Sequence, residues 1–170
     1  MIPLTCPHSF QRIALLGVIL ASIGCLKQRD TGPRGAQRYR LGAPGDGWQP
    51  MDPLSADDAW YHAGRSATIY ADASCGARYE DGELDALLKH LTFGIARGEP
   101  LRDEALTLDS RAALVRSFDG QLDGVAVRVG AMVTKKNDCL YDVLYIAPPP
   151  RFDEGWTDFV QVVQGFAVGR

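Results

Sequence analysis

The sequence predicts an α+β fold: a single domain in which an antiparallel β-sheet, made of a hairpin and a meander, is packed with two amphipathic helices. Three observations carry this expectation. Leu84, Leu87, Leu88, Leu91 and Ile95 recur at helical spacing, and so do Trp156, Phe159, Val160, Val163 and Phe166. Between the two stripes the period drops to two, with Val125, Val127, Val129, Ala131 and Val133 alternating with Ala126, Arg128, Gly130 and Met132. Asp123-Gly124, directly before that run, is a strong hairpin turn. No internal repeat and no second domain is visible.

The first element in chain order is an apolar run, Ile13 to Gly24, preceded by Arg12 and ended by Cys25. It carries no charge and is shorter than the ~20 apolar residues a membrane-spanning helix needs. It has the length of a signal-peptide core, about 7–15 residues. Its end, Ala21-Ser22-Ile23-Gly24-Cys25, resembles the lipobox of bacterial lipoproteins, with Ser22 where leucine is usual. That resemblance implies cleavage before Cys25, lipidation of Cys25 and a stable membrane anchor through several acyl chains. Leu26, rather than Asp, at the following position implies the outer membrane by the enteric sorting rule. The competing reading is a buried helix, or a signal peptide cut elsewhere with Cys25 incidental. The division expected is residues 1–24 as signal peptide, 25–47 as lipidated N-terminus and flexible tether, and 48–170 as the globular domain.

From Leu26 to about Gly47 the chain is rich in Gly, Arg, Pro and Gln and has no apolar periodicity. Trp48 opens the domain. Ala59–Ala63 reads as a short strand, Gly64-Arg65 as a turn and Ser66–Ala73 as its hairpin partner. The first helix follows, with Asp81 as N-cap and Gly98 as stop. After Pro100 come strands at Leu101–Leu108, Ala112–Leu122 and Val125–Val133, with turns at Asp109–Arg111 and Asp123-Gly124. A turn at Lys135–Asp138 leads into Cys139–Ala147, apolar on both faces except at Asp142, as a central strand covered on both sides would be. Pro148-Pro149-Pro150 ends the sheet. Asp153 and Glu154 then sit in the first turn of the second helix, where they favour its dipole.

The chain has 170 residues, a net charge of −3, and 46% hydrophobic and 23% charged residues, the composition of a globular protein. Charge is unevenly placed. Lys27, Arg29, Arg34, Arg38 and Arg40 face Asp30 alone, whereas from Asp46 onward 20 acidic residues stand against 12 basic ones. A basic tether can rest on anionic headgroups or simply be solvated. An acidic domain argues against nucleic acid as a partner. On the lipoprotein reading Cys6 leaves with the signal peptide and Cys25 carries lipid, so Cys75 and Cys139 remain as one pair in a disulfide-permissive compartment. A Cys75–Cys139 disulfide is expected. A metal or a reactive thiol is the alternative, with neither ligand-spaced His nor a Cys-x-x-Cys motif to support it.

The order hairpin, helix, antiparallel meander, C-terminal helix, with Asp138-Cys-Leu-Tyr-Asp-Val-Leu-Tyr-Ile-Ala147 and a closing helix ending Gln164-Gly-Phe166, resembles the PsbP-like fold. Bacterial lipoproteins related to DcrB are similar in plan. The resemblance covers about Trp48 to Phe166 and implies an accessory, assembly or binding protein rather than an enzyme. Fold alone does not fix function, and no site residue is carried over.

No motif supplies a catalytic constellation or a cofactor site. His62 is a lone strand histidine that fits a structural role better than a general base. His90 flanks the first helical stripe. Asp57-Asp58 and Glu80-Asp81 lack the alternating oxygen ligands of a calcium loop. Ser74, Ser110 and Ser117 stand outside any nucleophile motif, and Gly94–Gly98 ends a helix where a phosphate loop would begin one. Core packing accounts for Trp156, while Trp48 and Trp60 are candidates for a partner surface. The function expected is that of a lipid-anchored, non-catalytic envelope accessory or scaffolding protein that binds a protein partner. The alternatives are a carrier of a small apolar or lipid-like ligand and, less well supported, a hydrolase using His62.

Overall fold

The computed structural model describes residues 39–53, 55–76 and 81–169; Cys25, the apolar run and most of the basic stretch lie outside them. In chain order the strands are β1 (Tyr39–Arg40), β2 (Trp48–Pro50), β3 (Asp58–His62), β4 (Ala67–Cys75), β5 (Ala96–Leu108), β6 (Arg111–Leu122), β7 (Val125–Lys136), β8 (Cys139–Ala147) and β9 (Ala167–Val168). Helix α1 (Leu84–Leu91) lies between β4 and β5, and α2 (Phe152–Gln164) follows β8. Strands β2 to β8 form one sheet in the spatial order β2-β3-β4-β8-β7-β6-β5, antiparallel at every step. The α+β layout, a hairpin and a meander with two helices, is the one expected.

Turn chemistry sets the meander. The β5–β6, β6–β7 and β7–β8 connections are two-residue loops at Asp109-Ser110, Asp123-Gly124 and Asn137-Asp138, and all six residues have positive φ. Such loops carry the twist that joins antiparallel strands without splaying them. Asn, Asp and Gly reach this conformation at least cost, which is why short polar pairs punctuate the strands here.

The two faces of the sheet are covered unequally. Along β8, Cys139, Tyr141, Val143, Tyr145 and Ala147 are buried. They join Ile69, Ala71 and Ala73 of β4 in a cluster closed by Phe152, Phe159, Val162 and Val163 of α2. A wholly buried Phe159 contributes roughly 2–3 kcal/mol. Gly130 of β7 permits this approach, since a Cβ there would meet the Trp156 ring at 2.8 Å. On the other face Leu84, Leu88 and Leu91 of α1 cover Leu114, Phe118, Ala131 and Val133, with Leu140 and Leu144 of β8 at the margin.

Cys75 and Cys139 are register partners on β4 and β8, with Cα atoms 4.2 Å apart, and are joined by a disulfide, as expected.

Several boundaries differ from the sequence reading. Residues ahead of Trp48 belong to the fold: β1 pairs with β9, and the Tyr39 ring packs edge-on against Tyr141 at 5.3 Å. The Gly42 N–H donates to the Val162 carbonyl at 2.9 Å, so the end of the expected tether lies against α2. Helix α1 stops at Leu91, the buried Thr92 donates its hydroxyl to the Leu88 carbonyl, and Gly94, at φ +83°, reverses the chain. Its N-cap is Glu83, while Asp81 pairs with Lys135 at 2.7 Å. Strand β5 begins at Ala96 rather than Leu101, and a register shift between Arg97 and Arg102 absorbs Gly98 and Pro100 within the strand.

Candidate functional site

The two tryptophans expected at a partner surface belong to a structural corner. Trp48 opens β2 opposite His62 and is 9% exposed. Its Nε1–H donates to Asp158 Oδ2 at 2.9 Å, and Arg65 Nη1 donates to the same oxygen at 2.5 Å. Burial works to raise the Asp158 carboxyl, but these two donors outweigh it and hold the group below its ordinary value. Trp48 is therefore core, not partner surface, with its indole N–H held by the half-buried acceptor that α2 provides. Trp60 is half-buried against the same cluster.

His62 is part of this corner too. Its Nδ1 accepts from the Arg65 backbone N–H at 3.2 Å, capping a single 3-10 turn, Ala63–Arg65. Its ring stands edge-on to Trp48 at 5.4 Å. Among the described residues no hydrogen bond joins His62 to a carboxylate or a hydroxyl, the geometry a general base requires. The acidic pairs divide similarly. Asp57 Oδ2 accepts from the Ala73 backbone N–H at 3.1 Å, extending the β3–β4 ladder ahead of the first residue of β3, and Tyr39 Oη donates to it at 3.4 Å. Among the described residues no group of three or more His, Cys, Asp or Glu is placed to hold a metal ion.

A different site emerges where α1 stops covering the sheet. Even-numbered residues of β4 and β8 point to the α1 face, and around Leu144 that face is partly open. A trough of about 490 Å³ lies there, floored by Tyr70, Leu144 and Ile146 and walled by Met51, Pro53 and Ala56 of the segment between β2 and β3. Ligand sites of this kind are concave, mostly apolar and supplied with a few placed polar groups. Here those groups are Asp72 and Asp142, which are direct register partners on the central strands β4 and β8. Side chains directly opposite on one face are about 5 Å apart, and like charges there repel. Burial is the main cause that pushes the Asp142 carboxyl up from its ordinary 3.8 to about 7, with repulsion from Asp72 and then Asp57 adding to it. Asp57 is raised as well, by burial and then by Asp72.

Sequence reasoning passes over this trough, although one signal is present. Asp142 is the single charged residue in a strand apolar on both faces. Its partner cannot be read, since Asp72 is opposed to it only by the β4–β8 register. The wall is invisible as well, because Met51–Ala56 has no periodicity that says what it covers.

No protein-family model matches the sequence, and no curated protein matches it. Solved structures do. LpqN, involved in cell envelope biogenesis of Mycobacterium tuberculosis, superposes with a TM-score of 0.59 at 13% identity, over 82% of this chain and 87% of that one. The cyanobacterial PsbP protein CyanoP from Synechocystis sp. PCC 6803 superposes with a TM-score of 0.53 at 14% identity, over 81% of this chain and 96% of that one. At such identities the likeness is one of fold: β2 to β8 with α1 and α2 make the PsbP-like arrangement that the order of elements anticipates.

Proposed function

We propose that the chain is a non-catalytic accessory module of the cell envelope, held to the outer membrane by lipid on Cys25, whose domain binds a protein partner through the trough face. The observation that carries this reading is the sheet face over β4 and β8 that neither helix covers, with its apolar floor and facing carboxylates. Apolar surface left open on an ordered face marks a place of interaction. The apolar run ending in Gly24-Cys25 supports the address, and the fold shared with LpqN, a protein of envelope biogenesis, agrees with it. A second reading, a carrier of a small apolar or lipid-like ligand, is favoured by the trough's volume of about 490 Å³, within the range of small-molecule sites.

A photo-crosslinking residue at Ser55, exposed on the trough wall, tests both in cells making the full chain. A discrete protein adduct is the expected result, and an adduct with a small amphiphile alone would support the carrier instead. No adduct of either kind would sink both. Mass spectrometry of the N-terminal peptide tests the anchor separately, since an unmodified Cys25 in membrane-extracted protein would remove it.

A further inference from the structure

We propose that one end of the sheet, with Phe93, Leu122 and Val125 at its tip, dips into the leaflet of a zwitterionic phospholipid membrane. The inference rests on the membrane address proposed above and adds which end of the domain meets the lipid.

The apolar tip comes from two neighbouring turns. Phe93 lies in the turn between α1 and β5, and Leu122 and Val125 flank the β6–β7 turn at Asp123-Gly124. The Ile95 carbonyl accepts from the Gln121 N–H at 3.0 Å, which brings both turns to the same end of the sheet. Phe93 is 85% exposed, Val125 65% and Leu122 42%. Large apolar side chains gathered in the open mark a place of interaction. Carried on turns at a sheet end, they suit a fluid interface that closes around them to a depth of about 5–10 Å.

The charges beside the tip select the headgroup. Arg97 near the start of β5, Glu99 in its bulge and Asp123 in the β6–β7 turn are exposed, and among the described residues no ion pair engages them. Arg128, in contrast, is paired with Asp119 at 2.8 Å. A guanidinium donates to a phosphate and a carboxylate accepts from an ammonium, and phosphatidylethanolamine presents both groups. A purely anionic surface would meet two carboxylates for one free cation.

The tip is within reach of a membrane that holds Cys25. Tyr39 packs on Tyr141, whose register partner Thr134 is nine residues along β7 from Val125, about 30 Å from the tip. Tyr39 follows Cys25 by 14 residues, a span of at most about 50 Å. Leu144 on the trough floor pairs with Ala131, six residues from Val125 and about 20 Å along the strands. An inserted tip therefore leaves the trough clear of lipid and open to a partner.

An environment-sensitive fluorophore on Val125→Cys tests this in the full chain extracted from membranes and reconstituted into vesicles. The parent chain, treated identically, sets the labelling background, and a native near-ultraviolet dichroism spectrum verifies folding. In phosphatidylethanolamine–phosphatidylcholine vesicles with brominated acyl chains, the Val125 probe is expected to be quenched. The same probe on Thr107→Cys, exposed at the far end of β5, should stay in water. Phe93→Ser should lower the ratio of inserted to free Val125 probe about 10-fold, the scale of burying one large apolar side chain. Quenching should be weaker in phosphatidylglycerol alone. If the chain floats with the vesicles while the Val125 probe stays in water, the inserted tip is wrong and the anchor stands. Equal quenching at Val125 and Thr107, or stronger quenching in phosphatidylglycerol, would overturn it as well. If the chain does not float at all, the membrane address falls and the inference with it.

Discussion

Replacing Asp142 by Asn should stabilise the protein, and by an amount that depends on pH. The folded chain holds a proton on Asp142 up to about pH 7, whereas the ordinary value is 3.8. Over that interval the folded state binds more protons than the unfolded state, so stability is highest below 3.8 and is lost as pH rises through 7. The span corresponds to about 4 kcal/mol for a dry site, at roughly 1.4 kcal/mol for each tenfold change in proton affinity. Asp142 is half-buried and faces an open trough. Water in the trough screens the charge and brings the expected change to about 2 kcal/mol. The amide introduced by Asp142→Asn keeps the shape of the carboxyl and does not titrate. The stability gap between Asp142→Asn and the parent should therefore widen by about 2 kcal/mol between about pH 4 and pH 8, or roughly 6 °C in Tm. Urea unfolding followed by tryptophan fluorescence, with the disulfide intact, measures it. Asp57 is also raised, but it is present in both proteins and cancels from the difference. A gap that stays constant with pH, or narrows as pH rises, would refute the reasoning.

Other perturbations test the frame around the trough. Reducing the Cys75–Cys139 bond opens a link across a sequence separation of 64 residues, and chain entropy puts the loss at about 4 kcal/mol; an unchanged urea midpoint under reductant would contradict it. Asp158→Ala leaves both the Trp48 indole N–H and Arg65 without their acceptor and should cost about 3 kcal/mol. A shift of the Trp48 indole proton resonance should accompany that loss. Tyr39→Ala removes the ring packed on Tyr141 and Phe166 and should cost roughly 2 kcal/mol in thermal unfolding. No change in Tm would return the domain boundary to Trp48.

The legible parts of this fold are those with a period. Alternation in Val125–Val133 and the stripe Trp156–Phe166 place β7 and α2, because one buried face imposes a regular pattern on its own segment. Asp123-Gly124 marks its hairpin because few residue pairs take positive φ twice. What cannot be read depends on distant partners. Tyr39-Arg40 becomes a strand only because Ala167-Val168 lies beside it. Ile95 continues the helical stripe in sequence, yet its carbonyl accepts from Gln121 at 3.0 Å, so tertiary pairing overrides the helical pattern there. Trp48 reads as a surface aromatic because its acceptor, Asp158, is 110 residues away.

The same contrast singles out Asp142. Several other aspartates of the domain have structural tasks. Asp57 receives the Ala73 N–H where β3 begins, Asp109 binds both Lys136 and the Val168 N–H, Asp85 bridges Lys89 and Arg116, and Asp158 holds Trp48 and Arg65. Removing any of these leaves a donor unpaired. Asp142 has carboxylates for its charged neighbours, and each of them raises its cost. Asn or Thr at that position would keep the strand and remove the repulsion. An ionised carboxylate at Asp142, on a central strand and raised by burial and by Asp72 and Asp57, is destabilising as pH rises. That cost, carried at a central strand position, is the physical reason to look for function at Asp142 rather than at the tryptophans.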